Sequence, residues 1–202
     1  MIKRDECLRT LARYVTDEIV VAIYSTAFDW IAVRPHPLNY LCVGAMGLGA
    51  AHALGLALGS PDKRILLLDG DGSLLMSLGS LVTVAEAAPP NLLHFVFENG
   101  TYEANGAHPI PGRGRVSFSD LARAAGYRSC RTFDGLSEFE GAIKGLLNDQ
   151  GPVFVDLKIE PGAPPKYDYD LMHSAKPRAA FKTALTEFSR NRTDAPRKPR
   201  AL

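Results

Sequence analysis

The segment LLLDGDGSLLM (Leu66–Met76) joins an apolar run to two glycines that flank an aspartate, and then to a serine. Gly70 and Gly72 let backbone N–H groups come close to an anion, and Ser73 adds a hydroxyl donor. Asp71 is a hard oxygen ligand that sits badly beside a phosphate unless a divalent cation lies between them. Mg²⁺ accepts a carboxylate and phosphate oxygens together. Taken alone, GDGS is equally a tight strand-to-helix turn with Asp71 as its cap. A second polar strand end, Glu98-Asn99-Gly100-Thr101, follows 28 residues after Asp71. One helix and one strand fill that interval, and in a parallel sheet they return the chain to the same edge. Asn99 can offer an amide oxygen to the same cation, and Thr101 a backbone carbonyl. The bland alternative is a common Asn-Gly turn.

These two strand ends need elements to hold them. Leu8, Leu11, Ala12 and Val15 repeat at helical spacing, and IVVAIY (Ile19–Tyr24) reads as a short buried strand. Gly47–Leu58 reads as a buried Gly/Ala/Leu helix, and RILLL (Arg64–Leu68) as a second strand. A helix is expected over Ser73–Ala88, stopped by Pro89-Pro90. LLHFVF (Leu92–Phe97) is a third strand, and Ala104–Val116 a loop rich in Gly and Pro. Ser119 is expected to cap a helix through Ala125. Leu136, Phe139, Ile143, Leu146 and Leu147 mark another helix, VFVDLKI (Val153–Ile159) a last strand, and Phe181, Leu185 and Phe188 a terminal helix. Apolar strands alternating with helices predict an α/β fold: a three-layer α/β/α domain around a mainly parallel sheet. Such sheets bind ligands at the C-terminal ends of their strands, where Asp71 and Asn99 fall.

Composition narrows the choices. The chain has 202 residues, of which 46% are hydrophobic and 22% charged, so it is globular rather than disordered. The net charge of +1 gives no global case for nucleic acid. It is unevenly placed, because five basic residues and one acidic residue from Arg190 onward leave the body negative. Residues 1–189 are expected to form the domain, and 190–202 a basic, disordered tail. Cys7, Cys42 and Cys130 are odd in number with no close pair, which suits a reduced, cytoplasmic setting rather than a disulfide framework. The charged N-terminus MIKRDECLRTLARY lacks the apolar region of a signal peptide. Leu38–Ser60 carries no formal charge, but five glycines, Asn39 and His52 make it a glycine-rich loop and buried helix rather than a membrane span.

The ordered run VGAMGLGAAHALGLALGSPDKRILLLDGDGSLLMSLGSLVTVAEAAPPNLLHFVFENGTYEANG resembles the pyrophosphate-binding domain of thiamine diphosphate (ThDP) enzymes that decarboxylate 2-oxo acids. Within that group it is most similar to the sulfopyruvate and phosphonopyruvate decarboxylases, and the likeness extends more weakly over Ile2–Phe188. The resemblance implies that Asp71, Asn99 and the carbonyl of Thr101 hold Mg²⁺ against the diphosphate. It implies that Gly70, Gly72 and Ser73 bind the phosphates, with the backbone near Ala104. Gly44 would accept a hydrogen bond from the aminopyrimidine through its carbonyl, and Met46 would be the apolar wedge that keeps the cofactor bent. Ser25 and Thr26, just after the first strand, are further phosphate contacts to test.

The same resemblance implies a missing half. In such enzymes a second domain supplies the glutamate that protonates the pyrimidine ring, and Glu86 and Glu98 do not match that role. The expected partner is therefore a pyrimidine-binding (α-type) subunit in a hetero-oligomer, with a homodimer as the state of the chain alone. The expected substrate is a small 2-oxo acid, with neither nucleic acid nor membrane as partner. The uncharged helix at 47–59 suits close packing, including across that interface. After Asn99 the group tends to have Ser-Thr-Gly-Gly-Gln, where this chain has Ala104-Asn105-Gly106-Ala107-His108. His108 is then a candidate proton donor or an exposed loop histidine, and Asn105 a candidate substrate contact. Arg113 and Arg115 are candidates for an acidic substrate group, or a solvated basic loop. His52 and His94 read as buried structural histidines, and Tyr167-Asp168-Tyr169 as a surface or interface strap. Carboligation, as in acetolactate synthase-like enzymes, and a non-catalytic ThDP- or Mg²⁺-binding module remain alternatives. A nucleotide-binding oxidoreductase is disfavoured, because Gly44, Gly47 and Gly49 do not spell GxGxxG and no Walker A pattern occurs.

Overall fold

The computed structural model describes residues 1–44, 46–162, 166–168, 170–171 and 174–193, with side chains described as far as Phe188. The elements are α1 (Arg4–Ala12), β1 (Ile19–Ile23), α2 (Tyr24–Val33), β2 (Asn39–Cys42), α3 (Gly49–Gly59) and β3 (Ile65–Gly70). They continue with α4 (Asp71–Met76), α5 (Ser80–Ala87), β4 (Leu92–Glu98), β5 (Thr101–Tyr102), β6 (His108–Pro109) and α6 (Phe118–Ala125). Last come β7 (Ser129–Phe133), α7 (Leu136–Asn148), β8 (Val153–Lys158) and a C-terminal helix, α8 (Lys176–Thr193).

One six-stranded sheet carries the fold, in the order β2-β1-β3-β4-β8-β7, and every pairing in it is parallel. The strands β1, β3, β4 and β8 are buried on both faces, which is why they read as unbroken apolar runs. Alternate residues feed two cores. Val20, Leu66, Leu68, Phe95 and Val155 point toward α1, α2 and α7, while Val21, Leu67, Val96 and Phe154 join the core under α3, α5 and α6. The result is the expected α/β/α sandwich. The chain turns outward from β1 to β2 and then back to β3, so the C-terminal ends of β1 and β3 border the crevice where the winding direction reverses.

Three contacts fix the parts that matter for the site. At Gly49 an added Cβ would lie 2.9 Å from Ile23 Cγ1 and 3.0 Å from Leu67 Cδ1, so α3 starts in direct contact with β1 and β3. Asn91 Nδ2 donates to the carbonyls of Ala57, Ser60 and Lys63 at 3.1, 3.0 and 2.8 Å, which ties the end of α3 to the start of β4. The N-terminal arm adds a parallel bridge at the edge of β8. Ile2 N–H donates to Lys158 O at 3.1 Å, and Glu160 N–H to Ile2 O at 2.9 Å.

Several expectations are corrected. The single helix expected over Ser73–Ala88 is two, α4 and α5, broken at Ser77–Gly79. The helix expected to be capped by Ser119 is capped by Ser117, whose Oγ accepts from Asp120 N–H at 3.2 Å, while Ser119 is buried inside the helix. Helix α2 and strands β2 and β7 were not foreseen. The loop after β4 contains a 3₁₀ turn at Glu103–Asn105 and the two-residue ladder β5–β6. Helix α8 runs on to Thr193, into the expected tail, whereas residues 194–202, His173 and Tyr169 lie outside the described residues. Among the described residues no helix is long and apolar enough to cross a membrane.

Candidate functional site

The tips of β3 and β4 meet at Asp71. Its Oδ1 accepts from Gly72 N–H at 2.8 Å and its Oδ2 from Gly100 N–H at 2.6 Å. The carboxylate thus spans the two strand ends that the sequence pairs. Gly100 has φ +73°, a conformation that favours glycine, so the turn can aim its N–H at Asp71. One residue on, Thr101 N–H donates to Asn99 Oδ1 at 2.8 Å, and Thr101 Oγ1 donates to the same oxygen at 2.9 Å. Asp71 and Asn99 therefore gather their oxygens around two successive backbone N–H groups.

Asp71 is 2% exposed. Burial pushes its carboxyl from 3.8 up to about 7. The N–H groups of Gly100, Gly72 and Asn99 draw it back, and the charge on Glu98 adds to the rise. No cation is among these influences. A buried carboxylate held by N–H donors and short of positive charge fits a divalent cation, and the oxygen set of carboxylate, amide and backbone carbonyl suits Mg²⁺. Among the described residues no three His, Cys, Asp or Glu side chains cluster for a metal, so a cation here relies on amide and carbonyl oxygens.

The glycine turn that leads into α4 has one open face. An added Cβ at Gly70 would meet nothing within 4 Å, so that face of the turn is open. At Gly72 it would lie 2.6 Å from Tyr102 Cδ1, so this glycine is required by the ring of Tyr102. Ser73 Oγ accepts from Gly47 N–H at 3.0 Å and keeps its own proton to donate. That bond ties Gly47 to the start of α4. Helix α4 has only six residues, so donors at this end are the Ser73 hydroxyl and the glycine N–H groups rather than a long helix dipole.

A cavity of about 50 Å³ gathers Met46, Gly70, Asp71, Gly72, Ser73, Asn99, Thr101 and Ala104 with Ser25 and Thr26. Gly44 lines a neighbouring cavity, beside Val43 and Leu48. The hydroxyl of Ser25 is shared with Tyr167 at 3.1 Å, and Tyr167 packs edge-on against Phe28 at 5.3 Å. Asn105, His108, Arg113 and Arg115 do not line the 50 Å³ cavity. His108 is exposed on β6, opposite Tyr102. Arg113 lies across Gly100, where an added Cβ would come within 2.8 Å of its Nε. Glu86 is exposed, and Glu98 is ion-paired with Lys158. His52 is half-buried, and His94 is fully buried between the Tyr127 hydroxyl at 3.2 Å and Asp69 at 3.6 Å. A larger cavity, about 910 Å³, lies between α2, β2 and the start of α8. Its described lining includes Asp168 and Asp170 but none of the residues expected to form the site.

Sequence reasoning missed Arg4, Tyr102 and Glu103, which also line the site. Tyr102 and Glu103 are close to Asn99 in sequence, but nothing in their spacing marks them. Arg4 comes from α1, 99 residues before Glu103 in sequence.

Fold and site together define a three-layer α/β/α domain whose adjoining strand tips converge on a buried, glycine-flanked carboxylate. Residues 21–157 match the family model described as the thiamine pyrophosphate enzyme, C-terminal TPP binding domain, and the chain belongs to this family. It is 39% identical over 156 residues to a phosphonopyruvate decarboxylase of Streptomyces viridochromogenes, covering 77% of this chain and 39% of that protein. It is 32% identical over 163 residues to the sulfopyruvate decarboxylase subunit beta of Methanothermobacter thermautotrophicus, covering 80% of this chain and 84% of the relative. The chain thus spans about two-fifths of the phosphonopyruvate decarboxylase but most of the beta subunit. Among solved structures, benzoylformate decarboxylase from Polynucleobacter necessarius superposes with a TM-score of 0.66 at 21% identity, over 80% of this chain and 34% of that one, a likeness of fold.

Proposed function

We propose that this chain is the diphosphate- and Mg²⁺-binding subunit of a ThDP-dependent 2-oxo acid decarboxylase of the sulfopyruvate/phosphonopyruvate kind. The observation that carries the reading is Asp71, buried and clasped between the N–H groups of Gly72 and Gly100. The Asp71 carboxylate, Asn99 Oδ1 and the Thr101 carbonyl would supply the protein's share of the cation's ligands. The open face of Gly70, the N–H of Gly72 and the hydroxyl of Ser73 bind the diphosphate, with the backbone near Ala104 and, beside it, Ser25 and Thr26. Met46 would support the cofactor from its cavity wall, and the Gly44 carbonyl would accept from its aminopyrimidine. When bound, ThDP supplies the electron sink that lets a 2-oxo acid lose CO₂.

A cavity of about 50 Å³ seats a cation and little more, so the rest of the cofactor needs a second wall. That supports a partner chain carrying the pyrimidine domain and its activating glutamate. The apolar face left outside supports it too: Leu48 and Leu58 are 46% and 60% exposed, beside Met76 and Val82 at 59% and 61%. The beta-subunit name of the relative points the same way. Arg113, lying over Gly100, is the better placed of the two arginines for an acidic substrate group, while His108 sits outside the lining. The three thiols suit the cytoplasm.

The test is calorimetry of ThDP binding by the assembled complex with Mg²⁺ and with EDTA, followed by CO₂ release from sulfopyruvate and phosphonopyruvate. Binding should require Mg²⁺ and be abolished by Asp71→Ala. Equal affinity in EDTA, or in the variant, removes the metal role. One ligated product for each CO₂ released, with no free aldehyde, would assign the chain to a carboligase instead.

A further inference from the structure

Glu103 follows the proposed cation ligands directly and lines the same cavity. Its side chain is 7% exposed. Oε2 accepts from Asn99 Nδ2 at 3.1 Å. The carboxylate is itself gripped from both sides by Arg4, whose NH1 donates to Oε2 and whose NH2 donates to Oε1 at 3.0 Å. The remaining guanidinium edge is also engaged, because Arg4 Nε donates to Asp29 Oδ2 on α2 at 2.6 Å. A bidentate arginine fixes the plane of a carboxylate as well as its position. Glu103 therefore presents Oε2 to Asn99 from a rigid mount, with its charge already answered by Arg4.

The consequence falls on the amide of Asn99. A side-chain amide has an accepting end and a donating end, and a flip exchanges them. In this chain Oδ1 faces two donors, Thr101 N–H and Thr101 Oγ1, while Nδ2 faces the carboxylate of Glu103. A flipped amide would set its NH₂ against the Thr101 N–H and its oxygen against a carboxylate. Both contacts would then be repulsive, so one orientation survives. It keeps the amide oxygen beside Thr101 N–H, next to the Gly100 N–H that holds Asp71.

We propose that Arg4 and Glu103 are positioning residues that lock the Asn99 amide with its oxygen turned toward the cation seat beside Asp71, so that the seat is preorganised before a cation enters. This rests on reading Asp71 and Asn99 as cation ligands. Glu103 acts by accepting a hydrogen bond, since Arg4 neutralises its charge. That separates the proposal from a general negative field, because glutamine can accept the same bond without the charge.

The experiment uses the full chain in its complex with ThDP present, and reads Mn²⁺ affinity by electron paramagnetic resonance for wild type, Glu103→Ala and Glu103→Gln, with a Tm for each. Partners that orient metal ligands typically govern affinity by tenfold or more, so Glu103→Ala should weaken Mn²⁺ binding about tenfold while Glu103→Gln stays within about threefold of wild type. Unchanged Mn²⁺ affinity in Glu103→Ala overturns the proposal, as does a Glu103→Gln loss equal to that of Glu103→Ala. A lowered Tm with unchanged affinity makes the pair merely structural. Should Glu103→Ala fail to fold, the wild-type Asn99 Nδ2 hydrogens decide by NMR in the metal-free chain. At most a weak nuclear Overhauser contact between those hydrogens and Thr101 N–H is expected, and a strong one, which would set the NH₂ against Thr101, rejects the lock. If wild type binds no Mn²⁺ with ThDP present, the cation reading itself falls and this inference with it.

Discussion

Replacing Asp71 with asparagine should make the cofactor-free chain more stable in mild alkali while depriving it of cation binding. In the folded chain the carboxyl titrates at about 7, against 3.8 for the ordinary group. Between those values the native state holds a proton that the unfolded chain has released. Stability from this group is therefore full at low pH, falls as pH rises through the window, and is level above about 7. The side chain is only 2% exposed, so solvent screening removes little of the effect. At about 1.36 kcal/mol for each pH unit, the loss amounts to about 4 kcal/mol between pH 4 and pH 8. Asparagine has no charge to bury, but its amide accepts only one of the two N–H groups now shared by Gly72 and Gly100. That costs about 1–3 kcal/mol at every pH. The difference between wild type and Asp71→Asn should thus run about 4 kcal/mol across the range, whatever its offset, and favour the variant at pH 8. Urea unfolding in EDTA at pH 4, 5, 6, 7 and 8, followed by the fluorescence of the fully buried Trp30, measures it. A difference flat to within about 1 kcal/mol would refute the reasoning. With Mg²⁺ and ThDP added at about a hundred times the Kd, the wild-type complex should gain about 2.7 kcal/mol and the variant nothing.

Three further outcomes follow from contacts already described. Gly72→Ala puts a Cβ 2.6 Å from the Tyr102 ring, and overpacking of about 1–3 kcal/mol should weaken ThDP binding by the complex about tenfold; unaltered calorimetry would mean that the ring yields freely. Gly49→Ala drives a Cβ into Ile23 and Leu67 and should lower the urea stability of the chain by about 1–3 kcal/mol, whereas an unshifted midpoint would show α3 able to slide. His108→Ala removes an exposed side chain outside the cavity and should leave ThDP affinity within about twofold; steady-state kinetics across pH test its proton-transfer role, which unaltered profiles reject.

The strands that carry the site were legible because burial on both faces leaves an unbroken apolar run, as in Ile65–Leu68 and Leu92–Phe97. Their polar, glycine-bearing ends then stood out against it. Strand β2, Asn39–Cys42, was hidden because an edge strand of four residues with two half-buried positions has neither a run nor an alternation. Strand β7 was hidden for the same reason, with Arg131 and Thr132 exposed. The break between α4 and α5 was masked by Ser77–Gly79, whose residues are tolerated within a helix although Ser77 adopts φ −143° here. At the site, Asp71 and Asn99 were readable as strand-end residues of the right type. The ion pair from Arg4 to Glu103 was not, because 99 residues separate the partners and no local pattern links them.

That separation has a temporal side. The arm that precedes Arg4 is stitched by Ile2 between Lys158 and Glu160, at the end of β8. During synthesis the N-terminal arm must therefore wait for β8 to leave the ribosome. Contacts closed over so long a loop form late, after more local β–α units have assembled. The nascent protein is thus expected to pass through a sheet already built but with its N-terminal arm still undocked.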